Sequence, residues 1–244
     1  TEVTMSDVSL TAPVADASSP INAKRRPQAQ ARVPELPPAV AGERLALDKP
    51  VDPLAYYRGG PAPADQAEYR PLLLLHSINA AGSVYEIKPL FEHYAQHRPV
   101  YAPDLPGFGF SERRDREYNV RLMTDAVHAM VEVIRENHGP EPIDALALSL
   151  SSEFLARAAV ERPEAFRSLA LISPTGFDRR GPYHAEPGTH RGMPFMYAMF
   201  RFPLWSKGFF YLLTTRRSVR FFLNKGWGSK EIDEGMLEDD LLTA

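Results

Sequence analysis

The stretch Ala145-Leu146-Ala147-Leu148-Ser149-Leu150-Ser151-Ser152 decides the fold. The apolar run Ile143 to Leu148 has the length of a buried strand, and Ser151 to Glu161, closed by Pro163, has that of a helix. A serine therefore stands where a strand turns into a helix. A nucleophile on so sharp a turn has a strained backbone and tolerates only small residues two positions to either side, which Ala147 and Ser151 are. The turn lifts the Ser149 hydroxyl above the sheet. It also aims the first helical amides, that of Leu150 foremost, at an oxygen that becomes negative during acyl transfer. The same eight residues read equally well as an ordinary helix start, with Ser149, Ser151 and Ser152 as cap and first turn.

Moving outward, Leu72 to Leu75 is an unbroken apolar run that ends in His76-Ser77-Ile78-Asn79, and Val100 to Ala102 ends at Pro103-Asp104. Leu169 to Ile172 forms a further strand after the helix. Between them, Val84 to Gln96 carries Ile87, Leu90, Phe91 and Tyr94 at helical spacing. Leu122 to Asn137 carries Leu122, Ala126, Val127, Met130, Val131 and Ile134 on one stripe and is stopped by Gly139-Pro140. Alternating strands and helices predict an α/β fold, a mostly parallel sheet with helices on both faces. Upstream, Arg44 to Leu47 and Leu54 to Tyr57, separated by Lys49-Pro50 and closed by Gly59-Gly60-Pro61, predict an opening hairpin.

The two ends differ in character. Residues 1–41 are rich in Pro, Ala and Ser, hold few large apolar side chains, and are expected to form a disordered arm. Residues 42–175 form the core, and residues 176–244 a helical cap or lid. Eleven of the chain's 25 aromatic residues fall between Phe195 and Trp227, so that segment either lines a substrate pocket or forms the cap's own core. Arg201, Lys207, Arg216, Arg217 and Arg220 make it amphipathic rather than membrane-spanning.

Composition narrows the chemistry. With no cysteine among 244 residues, disulfides, thiolate nucleophiles and cysteine-bound metals are excluded, and any nucleophile is an oxygen or a nitrogen. A formal charge of −3 gives no general pull toward phosphate backbones, so no nucleic-acid partner is expected. No run approaches the ~18 apolar residues that span a bilayer, and no basic-then-apolar leader opens the chain; a cytoplasmic protein is expected. His76 ends a strand, and His93, His97, His128 and His138 lie on helices or their ends, none at ligand spacing. No metal or cofactor is expected.

Four segments, Leu72 to Ser77, Asp104-Leu-Pro-Gly107-Phe-Gly109-Phe-Ser111, the Ser149 turn and Ser168 to Pro174, together resemble the α/β-hydrolase superfamily in order and spacing. The resemblance covers roughly residues 43–175, and the later segment resembles that family's cap. It implies that the strand ending at His76-Ser77 supplies a second oxyanion donor, the Ile78 N–H, with Ser77 in place of the family's Gly. Ala147 and Ser151 replace the glycines of its Gly-x-Ser-x-Gly signature. The loop from Asp104 to Ser111 has a structural role there, and Asp104 is assigned no catalytic part.

The resemblance further implies a catalytic acid and a His, each after a later strand, and both fall beyond Ala244. Within the chain only His184, His190 and Asp178 lie late enough to stand in. The expectation is a serine hydrolase acting on an apolar, ester-like acyl substrate, with Ser149 as nucleophile and the Ile78 and Leu150 amides holding the oxyanion. Residues 1–244 alone are expected to be nearly inactive, since an unassisted serine is a poor nucleophile. The alternative is a noncatalytic small-molecule-binding protein on the same fold. The strand at Leu169 to Ile172, lacking its next neighbour, is expected to leave an open edge that favours self-association.

Overall fold

The computed structural model describes residues 37–47, 53–61, 70–175 and 194–244. Six strands form one sheet: β1 (Glu43–Leu47), β2 (Leu54–Gly59), β3 (Leu72–Leu75), β4 (Val100–Pro103), β5 (Ile143–Leu148) and β6 (Phe166–Ile172). Their spatial order is β1-β2-β4-β3-β5-β6. β1 and β2 form an antiparallel hairpin that joins β4, and β4, β3, β5 and β6 run parallel. The α/β architecture is the one the alternating pattern predicts.

The sheet is buried on both faces because its central strands are apolar on both. Leu73 and Leu75 of β3 pack with Val127, Met130 and Ile134 of α2 (Val120–His138) and with Leu155 of α3 (Ser151–Glu161). Leu72 and Leu74 point the other way, onto Val84 and Ile87 of the segment leading into α1 (Lys88–Tyr94) and onto Phe91 of α1 itself. The segment predicted as one helix from Val84 begins as a 3-10 turn over Val84–Ile87 and becomes α-helical at Lys88, where Pro89 occupies the first turn and needs no N–H partner. α2 starts at Val120, two residues earlier than its apolar stripe, because the Asn119 side chain caps it by accepting from the Leu122 N–H at 2.9 Å.

From β3 the chain steps to β4 on one side, while β5 pairs on the other. The carboxyl ends of β3 and β5 thus lie side by side, with Leu75 opposite Ala147, at the place where an open α/β sheet forms its crevice. Among the described residues β6 pairs with β5 alone and stands at the sheet's edge; Leu169 and Ile172 on it are 39% and 38% exposed. Ala39 and Val40, at the end of the stretch read as an arm, are buried, and the Ala39 N–H donates to the Tyr57 hydroxyl at 3.1 Å. The rest of that arm, the Lys49-Pro50 turn, Asp178, His184 and His190 lie outside the described residues.

After β6 come α4 (Pro194–Arg201), α5 (Pro203–Leu213), α6 (Arg216–Trp227) and α7 (Glu234–Thr243). α6 and α7 are joined by ion pairs, Arg216 with Glu238 at 2.5 Å and Arg220 with Glu234 at 2.6 Å. Phe195, Leu204 and Tyr211, on α4 and α5, are 75% or more exposed. None of the described helices is long and apolar enough to cross a membrane.

Candidate active site

Ser149 follows β5 in the left-handed region, with φ of 50°. An L-residue there carries strain of about 1 kcal/mol or more, which persists only where surrounding bonds fix it. Three backbone bonds do so. The Ser149 N–H donates to the Ile172 carbonyl at 2.9 Å, and its own carbonyl accepts from the Ser152 N–H at 3.1 Å and the Thr175 N–H at 3.3 Å. Ser173, beyond the end of β6, is the other non-glycine residue at positive φ among those described. Strain is therefore concentrated where the two adjacent parallel strands end. The N-cap of α3 is Leu150, which has no capping side chain, so Ser149 is not the helix cap.

The Ser149 hydroxyl is partly exposed and lies 3.4 Å from the Thr175 hydroxyl, a contact that Thr175 owes to following β6 directly. Among the described residues no histidine bonds to it. Of the described histidines, His128 pairs with Glu161 at 2.8 Å, His138 meets the Tyr101 hydroxyl at 2.9 Å, and His93 packs edge-on against Tyr94 and His97.

The segment after β3 is held at each of its first residues. His76 is fully buried; its Nε2 accepts from the Leu105 N–H at 3.0 Å, which leaves Nδ1 to carry the proton and donate to the Ser77 carbonyl at 2.7 Å. Burial pushes the ring's pKa down to about 4, so this imidazole stays neutral and occupied on both nitrogens. The His76 carbonyl accepts from the buried Ser151 hydroxyl at 2.5 Å. Ser77 is gripped by Glu86, whose two carboxylate oxygens accept from the Ser77 N–H and hydroxyl, each at 2.7 Å. The Ile78 and Leu150 N–H groups have no acceptor among the described residues.

Asp104 is wholly buried after β4, and its carboxylate accepts from the Val84 N–H at 2.9 Å and the Phe110 N–H at 3.0 Å. Burial raises its pKa to about 6 in spite of those two bonds. A β-carbon at Gly109, where φ is 49°, would lie 2.2 Å from this carboxyl, which is why the loop needs glycine there. Asp104 thus organises the loop. On α7, burial and the neighbouring Asp239 and Glu86 charges push Asp240 up to about 7. Among the described residues no three His, Asp or Glu side chains converge as metal ligands.

Three of these residues were not marked by sequence reasoning: Glu86, Thr175 and the Ser151 hydroxyl as a donor to His76. Each acts through a partner at least nine residues away, and no local pattern marks such a pair.

Residues 70–222 match the family model of the alpha/beta hydrolase fold, and the chain belongs to that family. An abhydrolase domain-containing protein of Caenorhabditis elegans, abhd-5.2, is 26% identical over 129 residues, 53% of this chain and 28% of that protein. Among solved structures, Cfl2 of Burkholderia cenocepacia aligns with a TM-score of 0.59 at 20% identity, over 81% of this chain and 64% of that one. The carbazole-degradation serine hydrolase CarC aligns with a TM-score of 0.55 at 15% identity, over 82% and 63% of the two chains. Naproxen esterase of Bacillus subtilis gives 0.55 at 18%, over 83% and 61%. At these identities the structures share the fold. The chain spans just over a quarter of the nematode relative and less than two thirds of each of the three solved chains.

Proposed function

We propose that the chain carries the nucleophile and oxyanion portion of a serine hydrolase for an ester or related acyl substrate with an apolar acyl group. Ser149 Oγ attacks the acyl carbon, and the carbonyl oxygen, negative in the tetrahedral intermediate, is held by the Ile78 and Leu150 N–H groups. The serine proton passes to a histidine that an acid orients, the partners that acyl transfer by a serine requires. That histidine returns the proton to the departing alcohol as the acyl–oxygen bond breaks, and water then hydrolyses the acyl-enzyme in the reverse sequence. The observation that carries the reading is the strained Ser149 backbone at the strand–helix turn, which Ser151 bonds to the segment of Ile78, while the Ile78 and Leu150 N–H groups have no described acceptor. The near-balanced charge supports a small-molecule substrate over nucleic acid.

A noncatalytic binding protein on the same fold is the second reading. It draws on the Ser149 hydroxyl having only Thr175, and no base, among its described neighbours. A fluorophosphonate probe and a p-nitrophenyl ester, applied to the full-length gene product, separate the two. Labelling and turnover that both vanish in Ser149→Ala support the enzyme; a parent protein inert to both supports the binder.

A further inference from the structure

The C-terminal described helix is fastened to the segment that carries Ile78. Ser83 and Asp239 are both buried, and the Ser83 hydroxyl donates to Asp239 Oδ2 at 2.5 Å across 156 residues of chain. One turn further along α7, the Thr243 hydroxyl lies 3.1 Å from the Ala81 carbonyl and 2.8 Å from the Asp239 carbonyl of its own helix. Arg113 donates to the Thr243 carbonyl as well, tying the same helix end to the loop that Asp104 organises. Met236 and Leu237 are buried, and α7 lies so close to the 3-10 turn that a β-carbon at Gly235 would stand 2.1 Å from the Tyr85 hydroxyl.

These contacts reach the site through a short relay. Ser83 caps the turn by accepting from the Tyr85 N–H at 3.1 Å, and that turn presents Glu86, whose carboxylate fixes both polar groups of Ser77. Ser77 immediately precedes Ile78. A helix that holds Ala81 and Ser83 therefore holds the middle of the segment whose ends, Ser77 and Glu86, are bonded to each other.

We propose that α7 is a latch, and that Asp239 and Thr243 are positioning residues which set the Ile78 amide through Ser83, Ala81 and the Glu86 grip on Ser77. The proposal rests on the reading of Ser149 and Ile78 given above. Neither residue touches the substrate; each acts by restricting the loop.

The test uses the full-length gene product with Asp239→Ala, Thr243→Val and the conservative Asp239→Asn, which keeps an acceptor for Ser83. Two quantities are read: amide hydrogen exchange in peptides covering residues 77–86, and fluorophosphonate labelling of Ser149 resolved into its covalent rate and its apparent binding constant. Loss of a buried hydrogen bond predicts an exchange increase of about tenfold in that segment for Asp239→Ala, with α2 peptides unchanged. Loss of one aligned oxyanion donor predicts a fall of about tenfold or more in the covalent rate, with the binding constant within about twofold and Asp239→Asn recovering most of the loss. Unchanged exchange over residues 77–86 overturns the latch, and raised exchange with an unchanged covalent rate overturns the positioning role. If Ser149 is unlabelled in the parent, it is the nucleophile reading that fails, and the exchange measurement still decides whether α7 holds the loop.

Discussion

The Ser151 hydroxyl donates to the His76 carbonyl at 2.5 Å and so joins the turn after β5 to the segment after β3. That bond lies between the two candidate oxyanion donors, since Leu150 precedes Ser151 and Ile78 lies two residues beyond His76. Ser151 and Ser77 are thus both bonded, to His76 and to Glu86.

Ser151→Ala keeps the small side chain and removes the donor, leaving a buried carbonyl without its partner. A loss of about 1–3 kcal/mol in unfolding free energy is expected. Urea denaturation measures it, with Ser152→Ala as the control, because the Ser152 hydroxyl makes only a 3.3 Å bond to the Ala147 carbonyl behind it.

Glu86→Ala frees the Ser77 N–H and hydroxyl together, whereas Glu86→Gln retains one acceptor oxygen. The expected order of protection in amide exchange at Ser77 to Asn79 is parent, then Gln, then Ala. Equal protection in all three would show that His76 alone fixes the segment.

Two buried groups tilt stability with pH in opposite directions. His76, lowered from 6.5 to about 4, contributes stability that is present above pH 6.5 and is lost as pH falls through about 4, because the unfolded chain takes up the proton first. Asp104, raised from 3.8 to about 6, contributes stability that is present below pH 3.8 and is lost as pH rises through about 6. The slopes oppose each other between about pH 4 and 6. Asp104→Asn removes one of them, so its melting temperature is expected to fall more steeply on acidification from pH 6.5 to 4 than the parent's, from a lower starting point. Parallel pH profiles for the two proteins would contradict this assignment.

Among the described residues β6 has an unpaired edge, with Leu169 and Ile172 more than a third exposed. Residues 1–244 expressed alone are expected to associate with rising concentration in sedimentation velocity, and Leu169→Lys to shift the distribution toward monomer. A single monomeric species at all concentrations would contradict the expectation.

Much of the sheet was legible because its signals are local. Leu72 to Leu75, Val100 to Ala102 and Ile143 to Leu148 are continuous apolar runs, and the helices between them keep a 3.6-residue stripe. The small residues around Ser149 marked the strand–helix turn for the same reason. Long-range partners carry no such signal: nothing near Ser83 points to Asp239, and nothing near Ser77 points to Glu86 as a bidentate acceptor. The start of β6 at Phe166, three residues before its apolar run, is set by pairing with β5, where Phe166 opposes Ile143 and Asp144 bonds the Ser168 hydroxyl at 2.5 Å. The aromatic residues between Phe195 and Trp227 left two readings open because helical spacing shows which residues share a face and not what that face meets.

The central claim is that Ser149 Oγ and the Ile78 and Leu150 amides surround one reacting acyl group. A crystal structure of the full-length protein after reaction with a fluorophosphonate tests it most directly. The account predicts a covalent bond from phosphorus to Ser149 Oγ, with the phosphoryl oxygen at hydrogen-bonding distance, about 2.7–3.1 Å, from both N–H groups. Phosphorus on another side chain, or a phosphoryl oxygen turned away from Ile78 and Leu150, would contradict it.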